Sequence, residues 1–314
     1  QVVNGKAGFY LKFDSARAYR IEPQVELGAA EGVREPSRAD FVFHPERPEE
    51  GELPIAVFTD GFEFHADPDA NMRVAVDTAQ RMSIIRSGRY RVWSLTWADV
   101  MEQSTTPPPR YAVGTVAAGP HFGALLGKLA GSAAGRFRNV GASTSFGLLL
   151  NYLAGGVPDD WERAAHAYAG SLLEPDGEKL DQMRVQRTVL HVDGAPLLRV
   201  EGSLAIAAIR SGDYGAMTLR LELADADAHH GKAEWRKTWR EFLWLFNLLQ
   251  FLRPAEFVST LGLAENIYGT LEETLTGPDA TGAMLRVLDL AAAAVHPLCR
   301  IVGEAGRQLP EPGY

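Results

Sequence analysis

The sequence predicts an α/β arrangement in the first third of the chain and a mixed α+β region after it. Three observations lead there. Residues 54–97 run from an apolar β-branched stretch through a polar cluster and a helical stretch into a second β run. Residues 184–224 carry turn signals at Asp193-Gly194 and 211–215, and Met217, Leu219, Leu221 and Leu223 alternate with period two, as a meander requires. Residues 232–252 place Trp235, Trp239, Phe242, Phe246 and Leu249 at helical spacing, which makes one aromatic face.

Taken in order, residues 7–27 read as a hairpin, with β-like runs on either side of Asp14-Ser15-Ala16. Residues 28–37 form a loop, and Asp40 opens the short apolar run Phe41-Val42-Phe43. The run Ile55–Phe58 is short and β-branched enough to be a buried strand, and it ends in Thr59-Asp60-Gly61 with His65 just beyond. A helix is expected over about 70–87, with Arg73, Asp77 and Arg81 four apart along one face. Ser87-Gly88 stops it, and 90–97 is the next strand. Three consecutive prolines at 107–109 favour a stiff connector. Helices are then expected near 121–133, 145–154 (capped from within Ser143–Ser145) and 158–172. Arg253-Pro254 ends the long aromatic helix, and two more helices are expected near 264–275 and 280–305. The expected segments are 1–105, 106–180 and 181–314.

A chain of 314 residues with 46% hydrophobic and 23% charged residues can bury a sizeable core and does not have a disordered composition. Its formal net charge of −9 excludes a generally basic surface for nucleic acid, so any such contact must be local. Arg81, Arg86, Arg89 and Arg91 are the dense basic cluster of the first third and the candidate nucleic-acid contacts. One cysteine, Cys299, excludes an internal disulfide and a cysteine-based zinc site. That fits a reducing, cytoplasmic setting, and no membrane span is expected. The stretch 123–129 lacks the spacing and the Ser/Thr of a phosphate-binding loop, and 141–145 lacks the second glycine of a nucleophile elbow. His229-His230 is adjacent on the chain and therefore diverges on any regular element.

Side chains at the carboxyl end of a buried strand sit on a rigid support, which suits chemistry. Two adjacent strands can bring Asp40 and Asp60 into one pocket beside His65 and a backbone carbonyl. Such a set suits a hard divalent cation, since Mg²⁺ takes one or two carboxylates with water and substrate phosphate. Asp77 is as well suited to a helix-surface ion pair as to a place in that site.

The stretch from Asp40 through FTDGFEFH (58–65) and Asp77 to SGRYRVWSLTW (87–97) resembles the very-short-patch-repair (Vsr-type) endonucleases of the PD-(D/E)xK superfamily. It is also similar to nuclease-like domains near the ends of large bacterial DEAD/DEAH-box helicases, which share phrases like WREFLWLFNLLQFL (239–252). The resemblance is specific over about residues 20–100 and loose beyond. It implies a PD-(D/E)xK nuclease-like mixed sheet with flanking helices, and Mg²⁺ (or Mn²⁺) held by Asp40 and the Thr59 carbonyl. Asp60 would add a ligand or orient water, and His65 would assist proton transfer. Asp60 stands where that family has its first histidine, and Phe62 stands where the D-x-K pattern has lysine. The function so implied is a metal-dependent DNA endonuclease module associated with a helicase, in DNA repair or antiviral defence. The alternative is a catalytically inactive module of the same fold that binds DNA or scaffolds a helicase or partner protein.

Overall fold

The computed structural model describes residues 2–260 apart from segments at 4–5, 68–70, 105–120, 174–182, 187–188, 193–196, 202–203, 212–215, 225–231 and 253–254. The prolines at 107–109, His229-His230, Cys299 and the helices expected near 264–275 and 280–305 lie outside the described residues.

A five-stranded mixed sheet carries the first third of the chain. Strands β1 (Phe9–Lys12), β2 (Ala18–Leu27), β3 (Ser37–Pro45) and β4 (Ile55–Asp60) are each antiparallel to the one before. Strand β5 (Arg91–Thr96) then lies parallel to β4, with Ile55 opposite Arg91 and Asp60 opposite Thr96. Parallel neighbours need a crossover, and the helices α1 (Phe62–His65) and α2 (Val74–Arg86) lie on it. All six residues of β5 are buried, as are Ile55, Ala56 and Val57 of β4, so both strands are covered on both faces, although Arg91, Ser94 and Thr96 of β5 are polar.

The chain turns from β5 straight into helix α3 (Trp97–Ser104) through a capping box. Asp99 Oδ2 accepts from Thr96 N at 2.8 Å, and Thr96 Oγ1 accepts from Asp99 N at 3.2 Å. Three longer helices follow: α4 (Phe122–Ala130), α5 (Ser145–Gly155) and α6 (Pro158–Leu173). The expected cap is Thr144, whose hydroxyl accepts from Gly147 N at 2.9 Å. These helices meet the sheet at Trp93, which stacks on Tyr152 at 5.9 Å between ring centroids and meets Trp161 edge-on at 6.2 Å.

A second sheet is built on the same plan. After the hairpin β6 (Met183–Gln186) and β7 (Val189–Val192), strands β8 (Leu197–Glu201), β9 (Leu204–Ser211) and β10 (Ala216–Ala224) form the expected antiparallel meander. Helix α7 (Lys232–Leu249) then crosses over to β11 (Ala255–Thr260), which is parallel to β10. The sequence reading had no strand at 255–260. From Glu241 to Leu252 every residue is buried, so the second half of α7 is a core helix, while among the described residues of its first half only Trp235 and Trp239 are buried. Its aromatic face and the residues of the first sheet belong to one apolar cluster, so packing crosses the boundaries expected at 105 and 180.

Helix α7 also closes the free edge of the first sheet. Asn247 Oδ1 accepts from Ser94 N and its Nδ2 donates to Ser94 O, both at 2.8 Å. Gln250 repeats the pattern on Val92, accepting from its N–H at 2.9 Å and donating to its carbonyl. Amides three apart, Asn247 on the helix and Gln250 just past its end, thus satisfy backbone groups two apart on a strand, in place of a sixth strand.

Candidate active site

The site is built at the carboxyl end of β4, where alternation sends neighbouring side chains to opposite faces. Phe58 and Asp60 face α2, while Thr59 points away and is exposed. Asp60 is 3% exposed, and Arg81 Nη2 donates to its Oδ1 at 2.5 Å. The Arg81 guanidinium also lies 5.2 Å from the Phe58 ring centroid. One turn earlier on α2, Asp77 Oδ2 is 2.7 Å from His65 Nδ1, and the same nitrogen lies 3.9 Å from Asp60 Oδ1. Arg73 approaches the other Asp77 oxygen at 3.9 Å. The spacing of Arg73, Asp77 and Arg81 therefore makes an inward row, with only Arg73 exposed.

Burial pushes the Asp60 carboxyl above the ordinary carboxylate range, with the Arg81 charge pulling the other way. His65 is raised above the ordinary imidazole value, chiefly by its hydrogen bond to Asp77. The backbone around His65 is pinned by the second half of the chain. Trp235 Nε1 donates to Ala66 O at 2.7 Å, Phe62 meets Trp239 edge-on at 5.8 Å, and Arg236 pairs with Glu63 at 3.1 Å.

Asp40 stands apart from that cluster. The paired register of β3 and β4 runs from Phe43–Ile55 to Phe41–Val57, and at the next step the Asp40 side chain takes over from the backbone ladder. Its Oδ2 accepts from Thr59 N at 2.7 Å and from Thr59 Oγ1 at 2.8 Å. Its Oδ1 accepts from Gln24 Nε2 at 3.2 Å. Gln24 has a φ of 53° and stands opposite Asp40 at the one step left unpaired between Pro23–Phe41 and Val25–Ala39, with the register unchanged on either side. A residue in a strand presents its N–H and C=O on the same edge, so the Thr59 carbonyl lies on the side from which Asp40 approaches.

The expected pocket shared by Asp40 and Asp60 is therefore two groupings, Asp40–Thr59–Gln24 and Asp60–Arg81–His65–Asp77, with no partner in common. Among the described residues, no group of three or more His, Cys, Asp or Glu is placed to hold a metal ion. The expected arginine patch divides as well. Arg81 is taken by Asp60, and Arg91 is turned inward, its Nη1 donating to Gln250 O at 3.1 Å and its guanidinium 4.4 Å from the Phe251 ring centroid. Buried arginines cannot meet a phosphate backbone. Arg86 and Arg89 are exposed, with Arg89 Nη1 donating to Ala30 O at 2.9 Å. Sequence reasoning missed Gln24, because a strand-interior glutamine gives no sign of a left-handed backbone or of a break in the ladder. It left Asp77 undecided, although its four-residue spacing from Arg73 and Arg81 was the available signal.

The chain matches no family model, and no curated protein or solved structure is similar to it. Among the described residues, no helix is long and apolar enough to cross a membrane.

Proposed function

We propose that the first sheet and its helices form a PD-(D/E)xK-like nuclease module that hydrolyses DNA phosphodiesters, working with a helicase motor in repair or in defence against foreign DNA. The observation that carries this reading is the union of Asp40 with Thr59, a half-exposed carboxylate held against the main chain of the strand end where the resemblance expects a metal. One carboxylate and one carbonyl suit an ion that keeps most of its own waters, so the residues fit Mg²⁺ or Mn²⁺ held by Asp40 and Thr59. When bound, such an ion supplies a Lewis acid that lowers the pKa of a coordinated water and neutralises charge on the phosphate. Asp60 is not available as a ligand, because Arg81 already neutralises it in the interior. Its part is to fix Arg81 and to lie beside His65, which moves the proton. Arg86 and Arg89 are the two arginines of the cluster that are exposed, so they are the ones a phosphate outside the site would reach.

A second reading, the inactive module that binds DNA or docks a partner, is favoured by the same Asp60–Arg81 pair, which spends one expected ligand on a structural contact. Calorimetric titration with Mn²⁺ separates the two. The nuclease reading expects a binding isotherm for the parent protein and none for Asp40→Asn; a parent that takes up no metal supports the inactive module.

A further inference from the structure

Asp77 lies on a different element from every other residue assigned to the reaction except Arg81, and its contact with His65 is shorter than any other in the cluster apart from Arg81–Asp60. Resting on the nuclease reading above, we propose that Asp77 is the positioning residue for His65. By accepting the Nδ1 proton it fixes one tautomer, holds the ring plane, and leaves Nε2 as the nitrogen that meets the substrate or its leaving group.

The argument is geometric. Nδ1 of His65 is 2.7 Å from Asp77 Oδ2 and 3.9 Å from Asp60 Oδ1, so both carboxylates approach the same nitrogen. An ionised carboxylate has no proton to donate and can only accept there, which makes Nδ1 the protonated position and Nε2 the basic one in neutral imidazole. Asp77 is itself 7% exposed and sits on the rigid 13-residue helix α2, whereas His65 sits at the end of a four-residue helix that could not hold its ring alone. The charged groups facing this pair are Asp60 from β4, Arg81 from α2 and Arg73 just before it, and Glu63 from α1, which Arg236 of α7 draws outward. Asp60 and Arg81 cancel, so Asp77 is the carboxylate left to hold the histidine. The His65 side chain keeps 29% of its surface exposed, enough for a phosphate to reach Nε2.

Long-range ¹H–¹⁵N spectra of the full chain, recorded in alkaline buffer where the imidazole is neutral, read the tautomer directly. The expected result is His65 protonated at Nδ1 in the parent, with that preference lost in Asp77→Ala and kept in Arg73→Gln. A parent His65 protonated at Nε2, or an unchanged tautomer in Asp77→Ala, overturns the inference. The parent spectrum needs no variant to fold. In plasmid nicking, Asp77→Ala should lower kcat with KM little changed, by less than the roughly 10²–10⁴-fold loss expected for removing the proton-transfer group in His65→Ala. An Nδ1 tautomer in a protein that nicks nothing sinks the nuclease reading alone, whereas nicking with an Nε2 tautomer sinks the positioning role alone.

Discussion

Arg91 and Trp93 show how much a single alternation decides. Both leave β5 on the face away from α2; Arg91 lies over Phe251, and Trp93 fills the space between Tyr152, Trp161 and Phe251 while its Nε1 donates to Ser145 O at 2.9 Å. Trp93 is fully buried, so Trp93→Ala should cost about 3–5 kcal/mol, and Trp93→Phe about 1–3 kcal/mol for the orphaned Ser145 carbonyl. Urea melts of the two variants test this ordering; equal losses would mean the ring packing adds nothing, and an undiminished Trp93→Phe that the hydrogen bond adds nothing. The same residues mark what was legible. Asp40, Thr59, Asp60 and His65 were readable as polar groups bordering apolar runs, Asp40 just before one and the other three just after the next. Which groups they pair with was not, since Arg81 and Arg91 look identical to surface arginines until the packing of α2 and α7 is known.

At the scale of elements, α7 does two jobs that its sequence announces unequally. The aromatic repeat from Trp235 to Leu249 was readable as a buried face, and all five of its residues are buried. Asn247 and Gln250 were not readable as an edge closure, since their partners are backbone groups some 150 positions earlier. Strand β11 escaped for a related reason: its parallel pairing with β10 follows from the crossover of α7 and not from its own pattern. Replacing Asn247 by Leu orphans both backbone groups of Ser94, each at a cost of about 1–3 kcal/mol, so stability should fall by roughly 2–6 kcal/mol. Hydrogen exchange at the Ser94 amide should accelerate far more than at Ala56 on the neighbouring β4. Unchanged protection at Ser94 would show that another group closes that edge.

Over the whole molecule, two histidines pull the pH dependence of stability in opposite senses. His166, buried on α6 with Nδ1 unpartnered, is pushed down to about 4 by burial. Its folded value lies below its unfolded one, so as pH falls from about 6.5 towards 4 the unfolded chain takes up a proton that the folded one refuses. That removes up to about 3 kcal/mol of stability. His65 is raised by Asp77, so its contribution is complete below the unfolded imidazole value and is lost as pH rises through its folded value. Denaturant midpoints from pH 7.5 to 4.5 should therefore fall less steeply on acidification in His166→Leu than in the parent, and more steeply in His65→Ala. Identical slopes in all three proteins would contradict both assignments. The central claim, that the Asp40–Thr59 strand end is the metal site of a nuclease, is tested most directly by nicking of supercoiled plasmid in Mg²⁺ or Mn²⁺, parent beside Asp40→Asn. The account predicts metal-dependent conversion to open circles by the parent and none by the variant, with both equally folded. Cleavage that survives in Asp40→Asn, or a parent inert towards duplex, mismatched and single-stranded DNA, would contradict it.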